Sequence, residues 1–304
     1  MNGRGRAVAL GAGTVLNALA TGVGSAFALD AETTATVTLD DTGTITGEIA
    51  EDPDADTRLV ERCVELTVER YAPSDGGDTG GRVHTESEVP MAAGLKSSSA
   101  AANATVLATL SALGVEVVDG ADGVDDGCAP ESGVSRLDAC RLGVEAARAA
   151  GVTVTGAFDD ASASMLGGVT LTDNRADDLL AREERDWDAL VWTPPERAYS
   201  ADADVSRCER IAPMARLVAD LAGEGRYAEA MTVNGLAFSA ALDFPTEPAV
   251  EAMPHAAGVS LSGTGPSVVA VGERSELETV AAMWGEREGT TRLTTTRIDG
   301  ARVL

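Results

Sequence analysis

The sequence predicts an α+β fold in two lobes, divided near residues 160–185, and three observations carry that prediction. Strand-like and helix-like stretches mix without the strict alternation of a doubly wound sheet. A length of 304 residues suits two domains of ordinary size. Hydrophobic residues make up 44% of the chain, enough to fill a core and to exclude wholesale disorder. Only 3% of residues are aromatic, so packing must rest on Ala, Val and Leu.

The elements follow in order. Arg6–Leu10 reads as a short strand, followed by a Gly/Thr/Asn loop over 11–25. Thr34–Leu39 and Thr44–Ala50 flank Asp40-Asp41-Thr42-Gly43, the pattern of a hairpin. In Asp56–Tyr71 the apolar positions Leu59, Val60, Cys63, Val64, Leu66 and Val68 share one helical face. Residues 73–81 read as a loop, and Arg82–Val89 alternates like a strand. Ser97–Leu113 is an alanine-rich helix closed by Gly114. The acidic, glycine-rich stretch 119–133 is a loop, and Ser135–Ala150 is a helix ended by Gly151. Gly156–Gly168 reads as a loop before strands at Val169–Thr172 and Ala189–Trp192. Helices follow at about 205–223, 226–241 and 246–253. Gly258–Ser262 and Ser267–Val271 are strands around a glycine turn, Ser275–Trp284 is a helix, and Thr291–Ile298 a closing strand.

Charge narrows the function. A formal net charge of −26 argues against nucleic acid, whose phosphates need cationic partners. An acidic surface with a single lysine fits a high-salt cytoplasm, where screening over a few Å removes self-repulsion. Four widely spaced cysteines (Cys63, Cys128, Cys140, Cys208) form neither a zinc motif nor a disulfide frame, as expected in a reducing cytosol. His84 and His255 stand in no catalytic motif. Arg4 and Arg6 before an apolar run ending Ala26-Phe27-Ala28 mimic a signal peptide, but five interrupting polar and glycine residues spoil the mimicry. No stretch is long and apolar enough for a transmembrane helix.

Three segments carry chemistry. The only lysine, Lys96, lies in Pro90-Met-Ala-Ala-Gly94-Leu95-Lys96-Ser97-Ser98-Ser99, which runs directly into a helix. Backbone amides, hydroxyls, a cation and a helix N-terminus converge there, the ingredients of a phosphate cradle. A plain helix cap would need one serine, not three with a lysine. Asp159-Asp160 before Gly167-Gly168 offers a general base or an electrostatic partner for a reacting hydroxyl, or merely a helix cap. Ser262-Gly263-Thr264-Gly265-Pro266-Ser267 is either a second glycine loop pressed against the first or a tight hairpin.

The order of these three segments resembles the GHMP kinase superfamily over nearly the whole chain. Gly94-Leu-Lys-Ser-Ser-Ser, Gly156-Ala-Phe-Asp-Asp-Ala-Ser-Ala-Ser and Gly11-Ala-Gly-Thr-Val-Leu-Asn-Ala-Leu-Ala-Thr-Gly are similar to its archaeal shikimate kinase branch. Most members carry glycine where this chain has Lys96. The resemblance implies a two-lobed fold, with a ribosomal S5 domain 2-like ATP-binding lobe at 1–165 and a ferredoxin-like lobe at 166–304. It also implies ATP and Mg²⁺ as cofactors, shikimate as the small-molecule substrate, and a cytoplasmic enzyme with no nucleic-acid or membrane partner. Pro90, Gly94, Leu95, Lys96, Ser97, Ser98 and Ser99 would wrap the phosphates, with Gly263, Thr264 and Gly265 completing the face. Ser98 and Glu145 would be the metal ligands. Asp160, seven residues before Gly167, would be catalytic in preference to Asp159, with Lys96 beside it. A carboxylate-bearing substrate needs an arginine clamp, for which Arg197, Arg207 and Arg297 are the alternatives. The rival readings are another GHMP kinase such as homoserine kinase, an exported acidic binding protein, and a kinase-like fold without turnover.

Overall fold

The computed structural model describes residues 3–73, 79–118, 133–153, 156–198 and 204–304. Cys128, most of the acidic loop at 119–133 and much of the loop at 73–81 therefore lie outside the described residues. The chain opens on two long antiparallel strands, β1 (Gly3–Leu16) and β2 (Val23–Asp40), joined through a short 3-10 turn at Ala18–Ala20. The expected loop at 11–25 is thus corrected: β1 continues through Gly11 and Gly13 to Leu16. Those glycines mark close packing instead of a turn. A Cβ on Gly13 would run into the ring of Phe27, which is wholly buried.

β3 (Ile45–Ile49) precedes α1 (Arg58–Tyr71) and β4 (Gly80–Ser87). The expected hairpin at 40–43 is also corrected. Asp40 accepts a hydrogen bond from the Thr42 amide, so the local turn forms. The chain then crosses over, and β3 pairs in parallel with β4 while β4 pairs with β2. Turn chemistry set the bend, and tertiary packing chose the strand partner.

α2 (Ser97–Leu113) ends on Gly114 in the left-handed region. Short strands β5 (Val117–Val118) and β6 (Val134–Ser135) form a separate parallel pair. α3 (Arg136–Ala150) starts at Ser135, whose hydroxyl accepts from the Asp138 amide as a side-chain cap. α4 (Phe158–Leu166) occupies most of what the sequence presented as a loop over 156–168. β7 (Val169–Asp173) pairs with the lower half of β2, and β8 (Asp178–Glu183), which the sequence reading lacked, pairs with β7. β1, β2 and β4 with α1, α2, α3 and α4 enclose one core of Ala, Val and Leu, including Val37, Val83, Leu107, Leu110 and Leu142.

β9 (Asp188–Thr193) begins the second sheet. A 3-10 segment at Val205–Ile211 leads into α5 (Ala212–Gly223), and then α6 (Tyr227–Leu242), α7 (Glu247–Ala252), β10 (Gly258–Leu261), β11 (Val268–Gly272), α8 (Arg274–Trp284) and β12 (Thr290–Thr295) follow. The sheet order β10-β11-β9-β12, antiparallel throughout, is the ferredoxin-like arrangement the resemblance implied. The tail returns to the first sheet as β13 (Arg302–Val303) against β1. That seven-stranded sheet therefore draws β7, β8 and β13 from beyond residue 165. A further core joins the sheets: Leu16, Phe27 and Leu29 pack with Met231, Phe238, Leu261 and Val269. This shared core fixes the glycine loop after β10 against the loop before α2.

Candidate active site

The N-termini of α2 and α4 open on one cavity of about 640 Å³. Lys96 is the N-cap of α2, with φ 67° and ψ 32°, so the chain turns sharply there. The first intrahelical donor is the Ala100 amide, bonded to the Lys96 carbonyl. The amides of Ser97, Ser98 and Ser99 precede that ladder and carry the positive end of the helix dipole. All three serines line the cavity, with Ser98 exposed.

The loop is held from both sides. The Ala12 amide donates to the Leu95 carbonyl at 3.1 Å, the Ser262 hydroxyl to the Gly94 carbonyl at 2.8 Å, and the Ser267 amide to the Ala93 carbonyl at 3.2 Å. Leu95 is buried in the core shared by the sheets. The Lys96 ammonium lies 2.9 Å from Asp160 Oδ1 and donates to Thr14 Oγ1 at 2.8 Å. Its side chain is 4% exposed, against 19% for Asp160. A lysine in this left-handed position thus turns back from the cradle onto a carboxylate 64 residues further along the chain.

Asp159 and Asp160 occupy the first turn of α4, not a loop. They differ in surroundings. Asp160 faces Lys96 and the cavity. Asp159 is buried; its Oδ1 accepts from Asn174 Nδ2 at 2.7 Å, while Asn174 Oδ1 accepts from the Asp159 amide and the Thr172 hydroxyl. Burial first, then the neighbouring Asp160 charge, push the Asp159 carboxyl up to about 7, against the opposing pull of Lys96 and Asn174. A carboxyl raised in the native state holds a proton that the unfolded chain has released. Its contribution to stability is therefore greatest below about pH 4 and is lost as pH rises towards 7. Asp159→Asn is expected to flatten that fall and to stabilise the protein at neutral pH by on the order of a few kcal/mol. Denaturation midpoints of both proteins at pH 5 and pH 8 in the same salt check this, and equal pH slopes would refute it.

The glycine loop after β10 supplies the cavity's other lip. The Gly263 amide donates to Thr14 Oγ1 at 2.8 Å, and its carbonyl accepts from Asn17 Nδ2 at 2.7 Å. The Asn17 amide donates to Asn234 Oδ1, and Asn234 Nδ2 to Ser260. Gly263 and Thr264 line the cavity. Gly265 does not; it packs against Phe244.

Of the residues singled out from the sequence, the structure brings together Gly94, Lys96, Ser97, Ser98, Ser99, Asp159, Asp160, Gly263 and Thr264. Leu95 supports them from the core, and Pro90 is exposed at the loop entrance without lining the cavity. Glu145 is not brought there: it faces away on α3, paired with Arg70 at 2.9 Å, and lines no part of the cavity. Among the described residues no group of three or more His, Cys, Asp or Glu could hold a metal ion. His84 lies beside Glu48 and Glu86, and His255 beside Glu276, away from this lining. Arg297 is tied to Asp30 and Glu32, and Arg207 to the Ala240 carbonyl and Asp243. Arg197 stands at the rim, 3.9 Å from the cavity-lining Asp52, and its neighbour Ala198 donates to the Ala92 carbonyl. The sequence reading assigned no role to Thr14, Asn17 or Asn174. The available signal was a threonine and an asparagine set in a run of small apolar residues, Gly11 to Ala20.

Residues 58–168 match the model of the GHMP kinases N terminal domain. The chain is 66% identical over 299 residues to the shikimate kinase of Halobacterium salinarum, covering 98% of this chain and 99% of that protein. It is 46% identical over 282 residues to the shikimate kinase of Methanosarcina mazei, covering 92% and 89%. Among solved structures, homoserine kinase from Cytophaga hutchinsonii superposes with a TM-score of 0.68 at 18% identity, covering 100% of this chain and 98% of that one, a likeness of fold.

Proposed function

Because the chain belongs to the GHMP kinase family, among its archaeal shikimate kinases, we propose that it transfers the γ-phosphoryl group of ATP to the 3-hydroxyl of shikimate. The protein is an ATP-dependent small-molecule kinase. The observation that carries the mechanism is the Lys96–Asp160 pair at the mouth of α2. ATP lies with its phosphates on the loop of Gly94 to Ser99, where three amides outside the helical ladder and the α2 dipole neutralise charge. Asp160 accepts the proton of the substrate hydroxyl as its oxygen attacks phosphorus in line. Lys96, 2.9 Å from Asp160 Oδ1, fixes that carboxylate in place and balances charge beside the reacting groups. Gly263 and Thr264 close the opposite side and exclude water.

Magnesium fits this site as a nucleotide-borne ion, because Mg²⁺ is usually held by one or two protein groups plus substrate phosphates. Ser98, exposed at the helix start, is the protein ligand we assign; Glu145, paired with Arg70, is not. When bound, the ion would offset charge on the β- and γ-phosphates. In functional terms residues 1–165 contribute the cradle and Asp160, and residues 166–304 contribute the Gly263 lip. We assign the enzyme to the cytoplasm; among the described residues no helix is long and apolar enough to cross a membrane, and the three described cysteines are free thiols.

We assign the substrate carboxylate to Arg197. It lies at the cavity rim in a loose pair with Asp52, whereas Arg207 and Arg297 are spent elsewhere. Arg197→Ala is expected to raise KM for shikimate about 30-fold with KM for ATP unchanged, the loss of one charge-assisted contact. Initial rates against each substrate check it, and an unchanged shikimate KM would remove Arg197 from the site. The reaction itself is tested by ADP release at molar KCl with shikimate and with homoserine supplied separately. Turnover confined to shikimate supports the proposal; turnover confined to homoserine overturns it.

A further inference from the structure

We propose that Thr14 is a further catalytic residue, whose hydroxyl donates a hydrogen bond to the acceptor oxygen of the substrate. The proposal rests on the kinase reading above and extends it to a residue with no assigned role. A threonine hydroxyl offers two acceptor lone pairs and one donor proton. Both lone pairs of Thr14 are occupied, one by the Lys96 ammonium at 2.8 Å and one by the Gly263 amide at 2.8 Å. Its proton has no acceptor among the described residues. The side chain is 1% exposed, yet it lines the cavity beside Asp160. A buried donor in that position is left for whatever occupies the cavity.

The local backbone aims it there. The register between β1 and β2 shifts between Thr14 and Leu16, an irregularity of the kind that re-aims a side chain next to a site. Asp160 Oδ1 is engaged by Lys96, which leaves Oδ2 for the substrate proton. A substrate hydroxyl then has each of its positions defined. Its proton goes to Asp160, one lone pair accepts from Thr14, and the other lone pair is left facing phosphorus. The O–P bond forms as the bond from phosphorus to the bridging oxygen of ATP breaks, ADP leaves, and the proton stays on Asp160. Thr14 keeps its own proton throughout. Fixing the nucleophile from two sides is worth more than holding it from one, since attack requires aligned orbitals.

The experiment measures calorimetric affinities of the full-length protein, with a non-hydrolysable ATP analogue bound, for shikimate and for the analogue lacking the 3-hydroxyl. Thr14→Val, similar in volume but without the hydroxyl, is expected to bind shikimate about tenfold more weakly and the 3-deoxy analogue within about twofold of wild type. Its kcat is expected to fall about 100-fold with KM for ATP unchanged. Thr14→Ser retains the donor and is expected to keep the wild-type preference for shikimate over the analogue, so a valine variant that misfolds does not end the test. Equal weakening of both ligands in the valine variant, no weakening of either, or loss of the preference in the serine variant would overturn the proposal. Wild-type turnover of shikimate tests the kinase reading separately; if it is absent, the reading fails and this assignment with it.

Discussion

Asp160→Asn is expected to lower kcat about 1,000-fold while KM for ATP stays within about twofold. Asparagine keeps the shape of the side chain and still accepts a hydrogen bond from Lys96, but it cannot take the substrate proton at neutral pH. The loop proposed to hold the nucleotide, Gly94 to Ser99, is held by hydrogen bonds from Ala12, Ser262 and Ser267 that do not involve that carboxylate. Lys96→Met is expected to cost about 100-fold in kcat, since it removes the preorganised charge that holds Asp160 and Thr14 in place.

The double variant separates a working pair from two independent groups. Lys96 and Asp160 share a 2.9 Å contact at low exposure, so each acts in the context of the other. Their effects are therefore expected to be strongly non-additive, with the double variant about as slow as Asp160→Asn alone. A product of the two single effects, about 100,000-fold, would mean that the residues act separately. Breaking one partner of a buried pair also destabilises the fold by about 3–5 kcal/mol. Thermal midpoints must therefore be recorded with the rates, so that lost folding is not mistaken for lost chemistry.

What was legible in the sequence was local. The Gly-Leu-Lys-Ser-Ser-Ser segment announces a turn into a helix because glycine, serine and alanine have strong short-range preferences, and α2 spans the expected Ser97–Leu113. The same local logic misread β1, since Gly11 and Gly13 look like breakers until Val89 and Phe27, respectively, are seen to need the space. It also joined β3 to β2, because the Asp40 turn says where the chain bends and nothing about which strand lies alongside. The site was legible as three segments but not as a geometry. That Lys96 meets Asp160 and Thr14, and that Asn17 grips the Gly263 carbonyl 246 residues away, follows from the packing of two lobes about a common core. Asp159 and Asp160 are identical in type and adjacent. Both line the cavity, and only the placement of Asn174 and of Lys96 tells the buried Asp159 carboxyl from the more exposed Asp160.

Gly94→Ala is expected to abolish turnover and to destabilise the protein by more than about 3 kcal/mol, an effect of packing and not of chemistry. Gly94 has φ 78°, which costs an alanine about 1–2 kcal/mol on its own. A Cβ there would also collide with the Ser262 carbonyl oxygen and approach the Gly265 carbonyl oxygen to 2.8 Å. Neither oxygen belongs to a side chain that can swing aside, so the two loops must separate. Separation breaks the bond from the Ser262 hydroxyl to the Gly94 carbonyl and that from the Ser267 amide to Ala93, and it carries Lys96 away from Thr14. Gly114 provides the matched control. It has φ 73° at the other end of the same helix, and a Cβ there meets nothing within 4 Å. Gly114→Ala therefore pays only the backbone strain, about 1 kcal/mol, and leaves turnover unchanged. Denaturant melts and steady-state rates of the two variants in molar KCl give the comparison. If Gly94→Ala matched Gly114→Ala in both, the contact between the cradle and the Gly263 loop would not be what holds Lys96 against Asp160.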